Sequence, residues 1–226
     1  MSEIKYNVIF SRRRSISIIV SPDKGVVVRA PYRTSMNAIE KYIREKSSWI
    51  EKHREKFTGL KRISRLHYGL GDIVLLQGKE LILKISGADQ PFIKLYDNYL
   101  EIGLKRMDDT AWIKIILGRW YREKAGEVFS ARFSYVLDKY REYCFKPSGF
   151  TIRTLKSRWG SCNSKGRITL NTQLVKLSEP YIDYVIVHEL CHLKHHNHGK
   201  EFYRLLGELV PDYKALRKEL KKYITR

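Results

Sequence analysis

A chain of 226 residues that is 43% hydrophobic and 30% charged can bury a sizeable core, and its composition is neither disordered nor fibrous. Lys and Arg number 44 against 24 Asp and Glu, a formal charge of +20. That excess favours anionic partners such as nucleotides, nucleic acid or acidic peptides without choosing among them.

Residues 4–10 and 16–20 read as two strands joined at Arg12-Arg13-Arg14, a hairpin, and residues 25–30 (GVVVRA) as a third strand after a turn at Pro22-Asp23-Lys24. Thr34 or Ser35 offers an N-cap for one helix carrying Ile39, Tyr42, Ile43, Ile50 and Phe57 at helical spacing through Glu55. Two hairpins follow, residues 72–77 with 80–86 around Gly78-Lys79, and residues 93–96 with 99–102 around Asp97-Asn98. The pattern changes near residues 103–109. From 110 to about 143 no proline intervenes, and Trp112, Ile115, Ile116, Trp120, Val128, Phe129 and Phe133 recur at helical steps, so one long helix or two in series is expected. Residues 150–156 and 167–174 read as strands around the polar stretch 157–166. Pro180 opens a helix that carries Tyr184, Val185, His188, Leu190 and His192 and is punctuated at Asn197-His198-Gly199. A last amphipathic helix spans about 201–224, interrupted at Val210-Pro211-Asp212. The expected fold class is α+β, with a β-rich N-terminal domain with one helix over residues 1–103. A mainly helical domain with a small antiparallel sheet is expected over 104–226.

Three cysteines, Cys144, Cys162 and Cys191, without a C-x-x-C argue against a disulfide framework or a cysteine zinc knuckle. No run approaches the roughly 18 apolar residues of a membrane span, and no signal segment is visible. A soluble, cytoplasmic protein with no membrane partner is expected.

Five of the 7 histidines fall between residues 188 and 198. His188-Glu189-Leu190-Cys191-His192 is an H-E-x-x-H on the helix opened by Pro180. One turn brings His188 and His192 onto one face, where two imidazoles can share a metal ion, with Glu189 beside them to take a proton from the activated water. A third ligand is needed. His195 lies about 10 Å along the axis of a continuous helix from His188, and His196 points away. His198 follows Asn197, which tolerates the left-handed conformation, and precedes Gly199, so a helix ending there can turn back onto the metal. His198 is the assigned third ligand, with Glu201 and Glu208 in reserve. Zn²⁺ is the expected cofactor, and the same donors accept Ni²⁺ or Co²⁺.

Between residues 143 and 178 there is no Asp or Glu, while seven Lys and Arg are present, so the segment before the metal helix is either an electropositive cleft wall or a solvated basic face. Within Ser157-Arg158-Trp159-Gly160-Ser161-Cys162, Gly160 permits a close backbone approach. Arg158 and Ser161 are candidate donors to a substrate anion or a developing oxyanion. Trp159, Cys162 and Cys191 read as packing residues.

The segments KSRWGSC (156–162), GRITLNTQLV (166–175) and YIDYVIVHELCHLKHHNHGKEF (181–202) resemble the YgjP-like metallopeptidase family of metal-dependent hydrolases, and more distantly the SprT-type zincins. The resemblance runs from about 103 to 220. It implies a minimal zincin domain with His188, His192 and His198 at the ligand positions and Glu189 as the catalytic base. The family has a small polar residue where this chain has Gly199. A metzincin is excluded: the required glycine is His195, and methionine occurs only at 1, 36 and 107. The resemblance implies a metallopeptidase, or alternatively a pyrophosphohydrolase acting on uridine triphosphate. A nucleic-acid-associated protein carrying a zincin module is a third expectation, from the charge: residues 1–65 alone hold 16 Lys and Arg against 6 Asp and Glu.

Overall fold

The computed structural model describes residues 4–21, 25–55 and 68–223. The Pro22-Asp23-Lys24 turn and Phe57 lie outside these. The class is mixed α+β, with a β-rich N-terminal part followed by a mainly helical one. By chain contacts it divides into two compact units, residues 1–60 and 61–226.

In the first unit, β1 (Tyr6–Ser11), β2 (Ser17–Ser21) and β3 (Gly25–Pro31) form a sheet in the order β1-β3-β2. The expected hairpin between β1 and β2 is not formed. β3 lies between them, parallel to β1 and antiparallel to β2. The reason lies in GVVVRA: Val26, Val27, Val28 and Ala30 are all buried, and such a continuous apolar run belongs at the sheet's centre. The helical stretch is two helices, α1 (Met36–Glu45) and α2 (Ser47–Glu55), broken at Lys46. Ser35 is the N-cap and accepts from the Ala38 amide. Ile39, Ile43 and Ile50 close the core with β3.

In the second unit, β4 (Ile73–Leu76), β5 (Lys79–Gly87), β6 (Phe92–Leu95) and β7 (Tyr99–Leu104) form a sheet in the order β4-β5-β7-β6. Both expected hairpins are present, and β5 joins β7 in parallel. The tip of the first hairpin is a left-handed pair, Gln77 and Gly78 (φ 48° and 80°), as a tight hairpin turn requires. α3 (Thr110–Lys139) is one unbroken helix, capped by the Asp109 carboxylate on the Trp112 amide. Its Ile113, Leu117, Trp120, Phe129 and Phe133 pack into one core with the sheet and the later helices. β8 (Phe150–Arg153), β9 (Gly160–Cys162) and β10 (Ile168–Asn171) form a small sheet in the order β8-β10-β9. It is mixed rather than wholly antiparallel: β9 runs antiparallel to β10, but β8 pairs with β10 in parallel because the chain crosses back through β9 first. β9 lies within the polar stretch 157–166, where no strand was expected. The expected strand over 167–174 is strand only to Asn171, and a 3₁₀ turn, Thr172–Lys176, leads on.

α4 (Glu179–Cys191), α5 (Lys200–Leu209) and α6 (Tyr213–Leu220) complete the chain. Among the described residues no helix is long and apolar enough to cross a membrane.

Candidate active site

α4 starts at its Ser178 cap, with Pro180 in the first turn. Ile182, Tyr184, Val185, Ile186, Val187, Leu190 and Cys191 are all buried, so the helix is sunk in the core and its position is fixed on nearly every side. It ends earlier than the sequence led us to expect. Cys191 is the last helical residue, His192 is the C-cap, and the His195 amide donates back to the Cys191 carbonyl at 2.9 Å. The return to α5 is therefore made by the irregular segment 193–199. Asn197 does not take the left-handed conformation: positive φ among described non-glycine residues occurs only at Tyr68, Gln77 and Cys144. Gly199, at φ −85°, is the extended cap of α5 and leaves its conformational freedom unused.

This path brings His198 back over His188 and His192. One ring nitrogen from each of the three lies within 4.8 Å of the other two, and Nε2 of His198 is 3.1 Å from Nε2 of His188. Nδ1 of His192 is 3.1 Å from the His195 carbonyl, so a proton on Nδ1 donates there and turns Nε2 toward the cluster. Phe202, fully buried on α5, lies beneath all three rings at 5.0, 4.7 and 4.7 Å between centroids. Burial, then the charges of His192, His198 and Arg217, pushes His188 down to about 3, and burial, His192 and Arg217 also lower His198. The donor set, three imidazoles whose ring nitrogens converge over an apolar side chain, suits a divalent cation of the zinc type. His195 donates no ring nitrogen to this group and His196 is exposed. Glu201 is held by Arg204 and Glu208 by the Tyr143 hydroxyl, so neither reserve ligand reaches it.

Glu189 is 5% exposed, and burial raises its carboxyl to about 8 against the opposing charge of Arg158. β9 lies against it. A Cβ at Gly160 would stand 2.7 Å from Glu189 Oε1, so the close approach expected of this glycine is to the buried carboxylate. Glu189 also raises the Cys162 thiol, after burial, which puts Gly160 and Cys162 on the face toward it. Ser161 stands between them and projects from the other face of β9. Its backbone pairs inward with Thr169, in step with the Asn171–Trp159 and Asn163–Arg167 bonds, which leaves the peptide groups of Gly160 and Cys162 directed to the open edge of the sheet.

Three further residues surround the site and were not evident in the sequence. Asn171, fully buried, donates to the carbonyls of Leu155 and Arg158 at 2.9 and 2.8 Å and accepts from the amides of Leu155 and Gln173. It fixes the loop that carries Arg158. Beside His198, Arg217 of α6 donates to the Tyr203 hydroxyl at 3.1 Å, and the Tyr203 ring stacks on His198 at 6.1 Å.

A profile of the YgjP-like metallopeptidase domain matches residues 14–223. The chain belongs to the YgjP-like family. The match takes in β2 and β3 as well as the histidine cluster, so the family extends well beyond the motif segments. A UTP pyrophosphatase of Escherichia coli strain K12 is 33% identical to this YgjP-like chain over 67 residues, 30% of this chain and 40% of that protein's length. The chain thus matches less than half of that curated relative. Solved zymogen structures of two metallopeptidases are also similar. Abylysin of Pyrococcus abyssi and jannalysin of Methanocaldococcus jannaschii each align over 41% of this chain and over 90% and 92% of their own, at 23% and 21% identity and a TM-score of 0.36.

Proposed function

We propose that this YgjP-like protein is a metal-dependent hydrolase, in the first instance a metallopeptidase. Its chemistry is assigned to residues 104–226. His188, His192 and His198 hold the cation, Zn²⁺ before Ni²⁺ or Co²⁺, and Glu189 is the general base. The observation that carries this reading is the convergence of three imidazole nitrogens within 4.8 Å beside a buried carboxylate. When bound, the cation supplies Lewis acidity and makes a neighbouring water more acidic.

The rest falls to the chain's own groups. Glu189 takes a proton from the attacking water and passes it to the leaving group. Gly160 leaves the space in which that carboxylate stands. The outward peptide groups of Gly160 and Cys162 give an extended substrate a strand to pair with, which favours a peptide. Phe202 keeps water from the back of the site. Arg158 is assigned to developing negative charge, whereas the Ser161 hydroxyl, on the far face of β9, has no such position.

A second reading, a nucleoside triphosphate pyrophosphohydrolase, is favoured by the UTP pyrophosphatase relative and by the guanidinium groups at the rim. One experiment tests both: metal analysis of the purified full chain, with a panel of peptides and nucleoside triphosphates offered to wild type and Glu189→Gln. The variant should keep stoichiometric metal and lose about 10²-fold or more in turnover. A variant that turns over at the wild-type rate, or a wild type that retains no divalent metal, overturns the reading.

A further inference from the structure

Arg217 lies outside the histidine cluster and offers it no ligand atom. It is exposed on α6, and among the described residues its guanidinium contacts Tyr203 twice: a hydrogen bond to the hydroxyl at 3.1 Å, and the guanidinium carbon 5.5 Å from the ring centroid. Tyr203 is itself held between His198, stacked at 6.1 Å, and Tyr213, stacked at 5.9 Å. Tyr213 and Arg217 are one turn apart on α6, so that helix presents a ring and a cation together to the tyrosine behind the third imidazole. Among the described residues no carboxylate pairs with Arg217.

An unpaired cation beside a site suited to another cation is unfavourable on its own. It reaches the cluster through one intervening ring, Tyr203, stacked on His198, so its charge opposes the loading of a metal there. Negative charge placed between the two reverses that sign. The guanidinium also has donors to spare. One N–H is spent on the Tyr203 oxygen, which fixes the side chain, and the others are free to meet two oxygens of one anion.

We propose that Arg217, held by Tyr203, receives an oxyanionic group of the substrate beside the histidine cluster: a phosphoryl group, or equally the terminal carboxylate of a peptide. This rests on the hydrolase reading above and adds to it a residue that selects for substrate charge.

The test is binding, not turnover. Inorganic phosphate and, separately, N-acetylalanine are titrated calorimetrically into the metal-loaded full chain. Wild type should bind one or both, and the one bound tells which oxyanion is used. Arg217→Ala should weaken that binding on the order of 10- to 100-fold with metal content unchanged. Arg217→Lys, which keeps charge and loses the fork, should fall between. Arg106→Ala changes net charge equally, at an exposed arginine paired with Asp108, and should bind as wild type. Should Arg217→Ala fail to fold, Arg217→Lys and Tyr203→Phe carry the test, each expected to weaken binding several-fold. The proposal is overturned if wild type binds neither probe, if the Arg217 and Tyr203 variants bind like wild type, or if Arg106→Ala loses as much. Glu189→Gln keeps the two ideas apart. It should retain anion binding while losing hydrolysis, and unimpaired hydrolysis there would remove the hydrolase reading whatever Arg217 does.

Discussion

A methyl group built on Gly160 meets Glu189 at 2.7 Å from Oε1, 2.9 Å from Cγ and 3.0 Å from Cδ. An exposed glutamate would swing aside at little cost. Glu189 is 5% exposed and belongs to a helix buried in the core, so the carboxylate or the strand has to shift. General-base catalysis is sensitive to such shifts, because a misplacement of about 1 Å can cost on the order of 10²-fold. Gly160→Ala is therefore expected to lower kcat by roughly 10- to 100-fold while metal content stays at the wild-type level. Steady-state kinetics with metal analysis decides it, and a fully active Gly160→Ala would show that β9 gives way instead. Of the residues in this site, those in the H-E-x-x-H were legible in the sequence because a helix fixes their relation locally. Gly160 was legible as a place of close approach, but the approaching group comes from another element. Asn171, Tyr203 and Arg217 were not legible, since each acts only through contacts that the tertiary fold creates.

The elements obey the same division between local and distant causes. Both hairpins of the β4-β5-β7-β6 sheet and the length of α3 follow from turn residues and apolar spacing within each segment. The β1–β2 pairing was misread because adjacency in sequence says nothing of a third strand, more apolar than either, that takes the centre. β9 has three residues, too few to show any alternation, and becomes a strand because β10 lies beside it. One element contact bears directly on the site. The Gln77 and Gly78 amides donate to the carbonyls of Val175 and Lys176 at 2.8 and 2.9 Å, and a Cβ on Gly78 would stand 3.0 Å from that of Ser178, the cap of α4. The hairpin tip is thus seated on the start of the histidine-bearing helix. Gly78→Ala places an alanine at φ 80° against that cap. It should cost about 1–2 kcal/mol, read as a lower denaturant midpoint at unchanged slope. A midpoint equal to wild type would mean that the turn relaxes freely.

At the scale of the whole molecule, a protein of charge +20 also buries a lysine. Lys176 is 6% exposed, with its ammonium 4.4 Å from the centroid of Tyr121, and among the described residues no carboxylate pairs with it. Burial lowers its ammonium from 10.5 to about 8. Below pH 8 both folded and unfolded chains hold this proton, and the native state bears the full cost of the buried charge. Between about 8 and 10.5 the unfolded chain still holds a proton that the native chain has released. Stability then rises with pH, by about 3 kcal/mol in all. Other groups pull the opposite way: burial lifts Cys191 to about 12 and raises Tyr121 and Tyr184, so the unfolded chain sheds those protons first and stability falls as they titrate. The general easing of self-repulsion as the net charge declines acts on every variant alike. Comparing Lys176→Met with wild type cancels all of these, and methionine fills a similar linear volume. The variant should be the more stable by as much as about 3 kcal/mol at pH 7, and the gap should close between pH 8 and 10.5 in denaturant midpoints. A gap that is absent at pH 7, or constant up to pH 10.5, would show that the ammonium reaches water and that burial at this position costs the fold nothing.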